Sequence, residues 1–303
     1  MDTLTVMAGY RSSERPERFI TCVKEVERRM GEMYAKWFLD KTFAGDSKLD
    51  ALNIRIGYAD YLYSPKKLLQ QYGGNYSLGY LRNRVEAVQG LALFNRRRIK
   101  GPVDKSEWAM DPTINGIVFP AGILREPFYS AGYPDFLNFG GIGMVIGHEL
   151  SHGFDASGRK FDSQGRLDDW WTNTSSHEFD RRKQCFVDQF SDYTISIAGS
   201  KYNVNGKLTV NENIADSGGV SRAWYAWSSL KKERNMRLKG LETYSSSQLF
   251  FINMATCWCS SVREETLKME LETGVHSPAK FRVLGSLSNS KEFSEAFQCS
   301  ESD

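Results

Sequence analysis

The composition of this 303-residue chain lacks the features of several protein classes. Its net charge is only +2, so it has no charge excess of the kind that favours nucleic-acid binding. No apolar run approaches the length of a membrane-spanning helix, and no secretory leader opens the sequence. Its five cysteines include no C-x-x-C pair, which argues against a cysteine-based zinc site or a thioredoxin-like site. The remaining class is a globular chain, long enough for one large domain or two smaller ones.

Histidine is also scarce, and two of the four histidines fall in one short motif. His148, Glu149 and His152 form a His-Glu-x-x-His sequence after an apolar run at residues 142–146 that is typical of a buried helix. Residues at this spacing share a helix face, so both imidazoles can bind one metal ion while Glu149 acts as a general base. The alternative is an amphipathic helix with two incidental histidines, but the intervening glutamate favours a zinc protease.

A catalytic zinc ion needs a third protein ligand, which the metzincin pattern cannot supply here. That pattern requires Gly and His where this chain has Asp155 and Gly158. The best candidate is Glu212, which would share a helix face with Asp216. One carboxylate can then bind the metal while the other accepts the spare ring N–H of a ligand histidine. Alone, such acidic residues more often interact with the helix dipole, but the upstream histidine motif favours the metal site.

Several further motifs, taken with these residues, resemble the neprilysin and endothelin-converting enzyme family of zinc endopeptidases. They occur in the family's order at residues 117–124, 147–155, 212–216, 276–278 and 281–282. The resemblance extends over residues 18–299 but corresponds only to the C-terminal part of a family ectodomain. It implies a thermolysin-like zinc peptidase core, one Zn²⁺ per chain and oligopeptide substrates.

The resemblance also implies a role for each matching residue of the metal site. His148, His152 and Glu212 would bind zinc. Glu149 would activate the attacking water, and Asp216 would orient a ligand histidine.

Further residues would contact the substrate. The resemblance implies that His276 stabilises the oxyanion and that Arg282 binds a substrate carbonyl or carboxylate. Without the resemblance, His276 would be interpreted as a loop histidine and Arg282 as a surface charge. Met144, Val145 and Trp258 would be interpreted as core residues. The implied pocket for the side chain after the scissile bond consists of Ile123, Phe128, Met144, Val145 and Trp258. Such a pocket predicts cleavage on the amino side of bulky hydrophobic residues.

Three departures from the family pattern bear on activity. The Asn-Ala-aromatic-Tyr segment, an edge strand that binds the peptide backbone, is missing before residue 111 and is expected to be deleted. A helical stretch is expected to be absent at the junction of residues 43–50. By the resemblance, the N-terminal lobe and a C-terminal Cys-x-x-Trp tail are expected to be missing as well. The sequence therefore predicts a truncated chain, from skipped exons or an incomplete gene model.

The odd number of cysteines leaves at least one thiol unpaired within the chain. By the family resemblance, Cys22, Cys259 and Cys299 would pair with an absent N-terminal part, and Cys185 with an absent tail.

The family resemblance also implies a cellular location. Family members are extracellular or plasma-membrane glycoproteins, and Asn75 and Asn173 lie in glycosylation triplets. Contact with a membrane would require a family N-terminal anchor, which is absent here.

Hydrophobic periodicity and turn residues predict a mainly α-helical fold with a small β-sheet beside the histidine-bearing helix. Helices are predicted at 17–43, 81–97, 141–154, 174–193, 220–235 and 246–262, and a short helix is predicted from residue 288. A strand is predicted at 116–124, a loop at 60–80 and a turn or hairpin at 158–165. Residues 1–98 are interpreted as a helical segment of the lobe connector, and 99–303 as a truncated zinc-peptidase catalytic domain.

Two hypotheses of different classes follow. The first is a zinc metalloendopeptidase, and the second is an inactive or impaired zinc-binding fragment that lacks its substrate-binding edge strand. An aminopeptidase is disfavoured because the chain has no Gly-x-Met-Glu-Asn motif to bind a substrate amine.

Overall fold

The computed structural model describes residues 48, 51–56, 109–119, 123–230 and 236–299. The predicted helices at 17–43 and 81–97, the predicted loop at 60–80, Cys22 and Asn75 lie outside the described residues. The division of the chain between residues 98 and 99 stays a prediction.

A three-stranded sheet lies on one side of the fold, with strands β1 (Asn53–Ile56), β2 (Ala109–Asp111) and β3 (Gly116–Phe119). The central strand β3 pairs in parallel with β1 and antiparallel with β2. All four residues of β3 are buried, as expected for a run of β-branched and aromatic side chains. This confirms the first part of the strand predicted at 116–124. Although β1 belongs to the segment interpreted as a lobe connector, it shares this sheet.

Helices make up most of the described chain, which confirms the predicted fold class. They are α1 (Asp135–Asn138), α2 (Met144–His152), α3 (Asn173–Ser191), α4 (Gly206–Ser229), α5 (Ser246–Thr256), α6 (Glu264–Thr273), α7 (Ala279–Ser288) and α8 (Lys291–Phe297). A hairpin of β4 (Thr194–Ile197) and β5 (Ser200–Asn203) connects α3 to α4. Helices α6 and α7 and this hairpin were not predicted.

Helix α2 is shorter than predicted because a π-helical turn, Phe139–Gly143, precedes it. Helix α3 begins one residue before the predicted start, where the Thr172 hydroxyl accepts a hydrogen bond from the Ser175 N–H. Helix α4 passes through Gly218-Gly219 without interruption, so the predicted start at residue 220 is wrong.

Close packing of α2 on α4 positions the candidate site. A Cβ on Gly147 would lie 2.9 Å from the Gly219 Cα, and one on Gly219 would lie 2.6 Å from the Met144 carbonyl oxygen. Both distances are too short for a larger residue, so the two glycines let the helix backbones touch. The side chains one to two turns away on each helix then face each other across the contact.

Two hydrophobic cores support these helices. The larger core lies around α2, α4 and α5 and includes Ile146, Trp227 and Phe250. The smaller core, around Phe190 and Phe281, joins α3 to α7. Most of α2 is buried against the larger core, so its polar residues are held in a fixed and water-poor environment.

Candidate metal centre

Three side chains from α2 and α4 converge on one point. His148 and His152 project from successive turns of α2, and their Nε2 atoms lie 3.0 Å apart. Glu212 from α4 places its Oε2 3.3 Å from the first Nε2 and 3.4 Å from the second. Among the described residues, these three form the group of His, Cys, Asp and Glu side chains able to hold a metal ion. The structure thus brings together the ligand set expected from the sequence.

The other nitrogen of each imidazole contacts a carboxylate. His148 Nδ1 lies 2.8 Å from Asp216 Oδ1, and His152 Nδ1 lies 2.8 Å from Asp155 Oδ2. These bonds assign the ring protons to Nδ1, because a carboxylate can only accept. Both Nε2 lone pairs are then left facing Glu212.

The converging atoms therefore fit a cation. Glu212 Oε2 is buried, and no described residue gives it a well-directed hydrogen bond despite the nearby imidazoles. Two nitrogen lone pairs and a carboxylate oxygen in one buried space repel each other unless a positive charge lies between them. Two imidazoles and one carboxylate are an established ligand set for catalytic zinc.

The pKa values of His152 and Glu212 are shifted by the opposite charges that surround them. Burial alone would lower the pKa of His152, but its bond to Asp155 and the closeness of Glu212 outweigh burial and raise that pKa to about 10. Burial would raise the pKa of Glu212, but the surrounding imidazoles lower it instead. Glu212 is therefore anionic at neutral pH, and protons compete with a metal ion for the imidazoles.

Asp216, which orients His148, is itself held by Arg282. The Arg282 Nε and Nη2 donate to Asp216 Oδ2 and Oδ1, both at 2.7 Å, and both side chains are buried. The guanidinium carbon lies 3.8 Å from the centroid of the Trp258 ring. Burial would raise the pKa of Asp216, but the charge of Arg282 lowers it to about 2. Arg282 thus commits two of its donors to the metal centre, a contact that the sequence did not predict.

Asp155 is a second residue whose position sequence reasoning missed. Its Oδ2 contacts His152, and its Oδ1 accepts hydrogen bonds from the Ser157 and Gly158 N–H groups, both at 2.7 Å. The available signal was a carboxylate three residues after the second histidine, just beyond the helix end. In the sequence, Asp155 excludes the metzincin pattern, but its spacing alone did not predict the contact with His152.

Glu149 faces the same space. It is 3% exposed, and its Oε1 lies 3.9 Å from His148 Nε2. Burial raises the pKa of its carboxyl group, and a hydrogen bond from the Met110 backbone N–H opposes that rise. A buried carboxylate beside the converging ligands has the location that a general base needs.

The contact with Met110 brings strand β2 next to Glu149. Although the Asn-Ala-aromatic-Tyr residues are absent, β2 forms an edge of the sheet within the described residues and lies against Glu149. The expected deletion of the Asn-Ala-aromatic-Tyr segment stays a prediction. The pairing of Met110 with Ile117 in the β2–β3 ladder holds the strand in place without those side chains.

His276 also lies beside the centre. Its Nε2 is 2.9 Å from Glu212 Oε2, and its side chain is 52% exposed. The next residue, Ser277, is buried and donates to Asn213 Oδ1 at 2.8 Å, while Asn213 Nδ2 donates to Thr209 Oγ1 at 2.9 Å. A buried hydrogen-bond chain thus joins the His276 loop to α4.

The five residues of the expected substrate pocket belong to the larger hydrophobic core. Ile123, Met144 and Val145 are buried, and Phe128 and Trp258 pack against them. All five therefore lie in or against one hydrophobic core, and their role as a substrate pocket stays a prediction.

The cysteines of the described region are unpaired. Cys185, Cys259 and Cys299 are exposed and Cys257 is half-buried. The expected pairing with residues beyond this chain stays a prediction. None of the helices in the described part of the chain combines the length and apolar content that crossing a membrane requires.

A helix-borne His-Glu-x-x-His motif joined by a glutamate from a second helix is the arrangement of a metal-dependent peptidase. The family model described as Peptidase family M13 matches residues 110–303. This chain belongs to peptidase family M13, which confirms the resemblance to the neprilysin and endothelin-converting enzyme family.

Individual relatives show the same relationship. The chain is 41% identical over 278 residues to an endothelin-converting enzyme homolog of Locusta migratoria, covering 87% of this chain and 38% of that protein. It is 41% identical over 268 residues to neprilysin of Homo sapiens, covering 84% of this chain and 36% of that protein. The chain thus spans less than half the length of these relatives.

Solved structures agree with the fold. The zinc metalloprotease Zmp1 of Mycobacterium tuberculosis in complex with an inhibitor gives a TM-score of 0.72 at 30% identity, over 95% of this chain and 45% of that one. A Haemonchus galactose-containing glycoprotein complex gives a TM-score of 0.79 at 29% identity, over 92% of this chain and 49% of that one.

Proposed function

We propose that this chain carries the catalytic site of a zinc metalloendopeptidase that cleaves oligopeptides on the amino side of bulky hydrophobic residues. The observation that carries the proposal is the convergence of His148 Nε2, His152 Nε2 and Glu212 Oε2 in a buried space. Membership of a peptidase family supports the same reaction class. By the family relationship, the proposed setting is extracellular or at the plasma membrane, and the partners are oligopeptides.

In this proposal His148, His152 and Glu212 hold Zn²⁺, which when bound supplies a Lewis acid that acidifies water and polarises a carbonyl. Glu149 takes the proton from the attacking water and later delivers it to the leaving amine. Burial raises the pKa of Glu149, so its conjugate acid holds the proton long enough to pass it on.

Asp216 and Asp155 act on the imidazoles in this proposal. Each carboxylate fixes its ring with Nδ1 protonated, so that Nε2 is available as a ligand. Arg282 neutralises Asp216 through two of its five N–H donors, which leaves both N–H groups of Nη1 and one of Nη2 for a substrate carbonyl or carboxylate. Arg282 therefore supports the metal centre first and contacts substrate second.

His276 is proposed to donate its N–H to the developing oxyanion. Its half-exposed ring lies at the margin of the buried centre, where a bound peptide can reach it. The charge that forms on the carbonyl oxygen is stabilised most by donors that are already in position. The buried Ser277–Asn213 bond provides that positioning, because it fixes the backbone next to His276.

The positioning of His276 can be tested with Ser277→Ala. Loss of the buried bond is expected to lower kcat about fivefold, equal to roughly 1 kcal/mol, with zinc affinity unchanged. Steady-state kinetics and zinc titration measure the two effects. Ser288→Ala removes a hydroxyl that bonds within the exposed end of α7 and serves as the matched control. An unchanged kcat in Ser277→Ala would show that the bond does not position His276.

A second candidate is a zinc-binding fragment without turnover. The observation that favours it is that Cys185, Cys259 and Cys299 are exposed and unpaired. The edge strand β2 favours the active enzyme instead, because its backbone is held beside Glu149.

Hydrolysis of two matched peptides tests the proposal. One peptide has Phe after the scissile bond, and the other has Gly at that position. The Phe peptide is expected to be cleaved about tenfold faster or more, and a chelator should abolish cleavage until zinc is restored. One-to-one zinc binding without cleavage would support the inactive fragment. Failure to bind zinc would contradict both candidates.

A further inference from the structure

Lys48 is a buried cation that the proposed reaction does not use. Its side chain is 1% exposed, and its Nζ donates to three backbone carbonyls, those of Gly153, Gly158 and Phe161, each at 2.7 Å. The nearest of these acceptors is 105 residues away in the sequence. An ammonium group has three donors, so the three carbonyls satisfy it completely.

The three carbonyls all belong to the loop of residues 153–161, which follows α2 directly. This loop carries Asp155, whose Oδ1 accepts from the N–H groups of Ser157 and Gly158 and whose Oδ2 contacts His152 Nδ1. Two of the Lys48 acceptors lie on the C-terminal side of Asp155 and one on its N-terminal side. Lys48 therefore ties both ends of the loop to one point, with Asp155 between them.

Lys48 is anchored on its own side as well. Its backbone carbonyl accepts a hydrogen bond from Asn115 Nδ2 at 2.6 Å, and Asn115 is a buried residue in the turn between β2 and β3. The same lysine thus connects the sheet to the loop. A displacement of the loop relative to the sheet would break buried hydrogen bonds, which is costly in a water-poor interior.

We propose that Lys48 is a positioning residue for the metal centre, which holds the 153–161 loop so that Asp155 orients His152 and thereby raises the affinity for zinc. This inference rests on the proposed function. The carboxylate partner of a ligand histidine fixes the ring tautomer and orientation, and its loss typically reduces metal affinity or activity about 10- to 100-fold. Lys48 acts indirectly, because it binds the backbone of the 153–161 loop that places Asp155.

The charge of Lys48 is compatible with this role. Burial lowers its pKa to about 8, while Asp155 and Asp162 oppose the shift, so the ammonium form prevails at neutral pH. Its Nζ also lies 5.4 Å from the ring centroid of Phe154, within the range of a cation–π contact. Replacement by Met would keep most of the side-chain volume but leave three carbonyls without their donor.

The test is a double-mutant cycle on zinc affinity, measured by competition with a chromophoric chelator on the full chain. The four proteins are the wild type, Lys48→Met, Asp155→Ala and the double variant. Lys48→Met is expected to weaken zinc binding by about tenfold. If Lys48 acts through Asp155, its replacement in the Asp155→Ala background should change zinc affinity by no more than about twofold.

A matched control separates positioning from general stability. Leu271→Ala removes a buried side chain of the smaller core, which contains none of the metal-binding residues, and is expected to lower the melting temperature without changing zinc affinity. Should Lys48→Met fail to fold, Lys48→Arg replaces it, because a guanidinium keeps the charge but cannot direct three donors as the ammonium does. It should show an intermediate loss of zinc affinity.

The outcomes are distinct. The inference is overturned if the Lys48 variant binds zinc as tightly as the wild type. It is also overturned if replacing Lys48 weakens zinc binding as much in the Asp155→Ala background as in the wild type. Either result leaves the proposed function intact. A wild-type chain that binds no zinc overturns the proposed function, and this inference with it.

Discussion

Glu149→Gln is expected to reduce peptide hydrolysis by about 10²- to 10⁴-fold, the typical contribution of a general base. The amide has nearly the same shape as the carboxylate, and its side-chain oxygen can still accept the hydrogen bond from the Met110 N–H. It cannot take a proton from water, so the effect should fall on kcat and leave zinc binding in place. Single-turnover cleavage of a Phe-containing peptide, together with the zinc content of the same sample, measures both quantities.

Glu265→Gln provides the matched control for this experiment. Glu265 lies in the first turn of α6 and is exposed, so the same chemical change there should leave hydrolysis unaltered. Full activity in the Glu149 variant would remove this residue from the reaction. A variant that loses zinc along with activity would assign Glu149 a role in metal binding instead.

Glu212→Gln is expected to weaken zinc binding by more than roughly 100-fold, beyond the usual effect of losing an outer carboxylate. The substitution keeps the volume of the side chain but removes the negative charge that lies 3.3 and 3.4 Å from the two Nε2 atoms. Zinc then loses both a ligand and the charge that offsets its own. Activity at limiting zinc should fall in parallel, and added zinc should restore only part of it.

The exposed Glu272 on α6 is the matched control for Glu212. Its replacement by Gln should leave zinc affinity unchanged, because it lies away from the metal centre. Zinc binding by Glu212→Gln at wild-type affinity would mean that another oxygen donor completes the site.

The local part of the site could be predicted from sequence because helix geometry alone fixes it. His148, Glu149 and His152 lie on one helical face at their spacing, and α2 is a helix over all three residues. The pairing of Asp216 with a ligand histidine also follows from a four-residue spacing once Glu212 is near the metal.

The approach of α2 to α4 could not be predicted from periodicity. The predicted helix started at residue 220, directly after Gly218-Gly219, and glycine weakens helices in isolation. In the structure the helix continues, and the glycine faces the backbone of α2 at Gly147. Tertiary packing therefore determines the helix here, and intrinsic propensity does not.

Long-range polar contacts were equally inaccessible. Lys48 contacts a loop more than 100 residues away, and Arg282 reaches Asp216 from α7, a helix that was not predicted. Helix α6 was missed because Leu271 is its only buried residue, so it has almost no apolar stripe to recognise.

X-ray absorption at the zinc edge on the purified, zinc-loaded chain tests the central claim most directly. The expected result is one zinc ion per chain with two imidazole nitrogens at about 2.0–2.1 Å and a carboxylate oxygen at about 2.0–2.2 Å. A sulfur shell at about 2.3 Å, or a first shell without imidazole, would place the metal elsewhere and contradict a centre built from His148, His152 and Glu212.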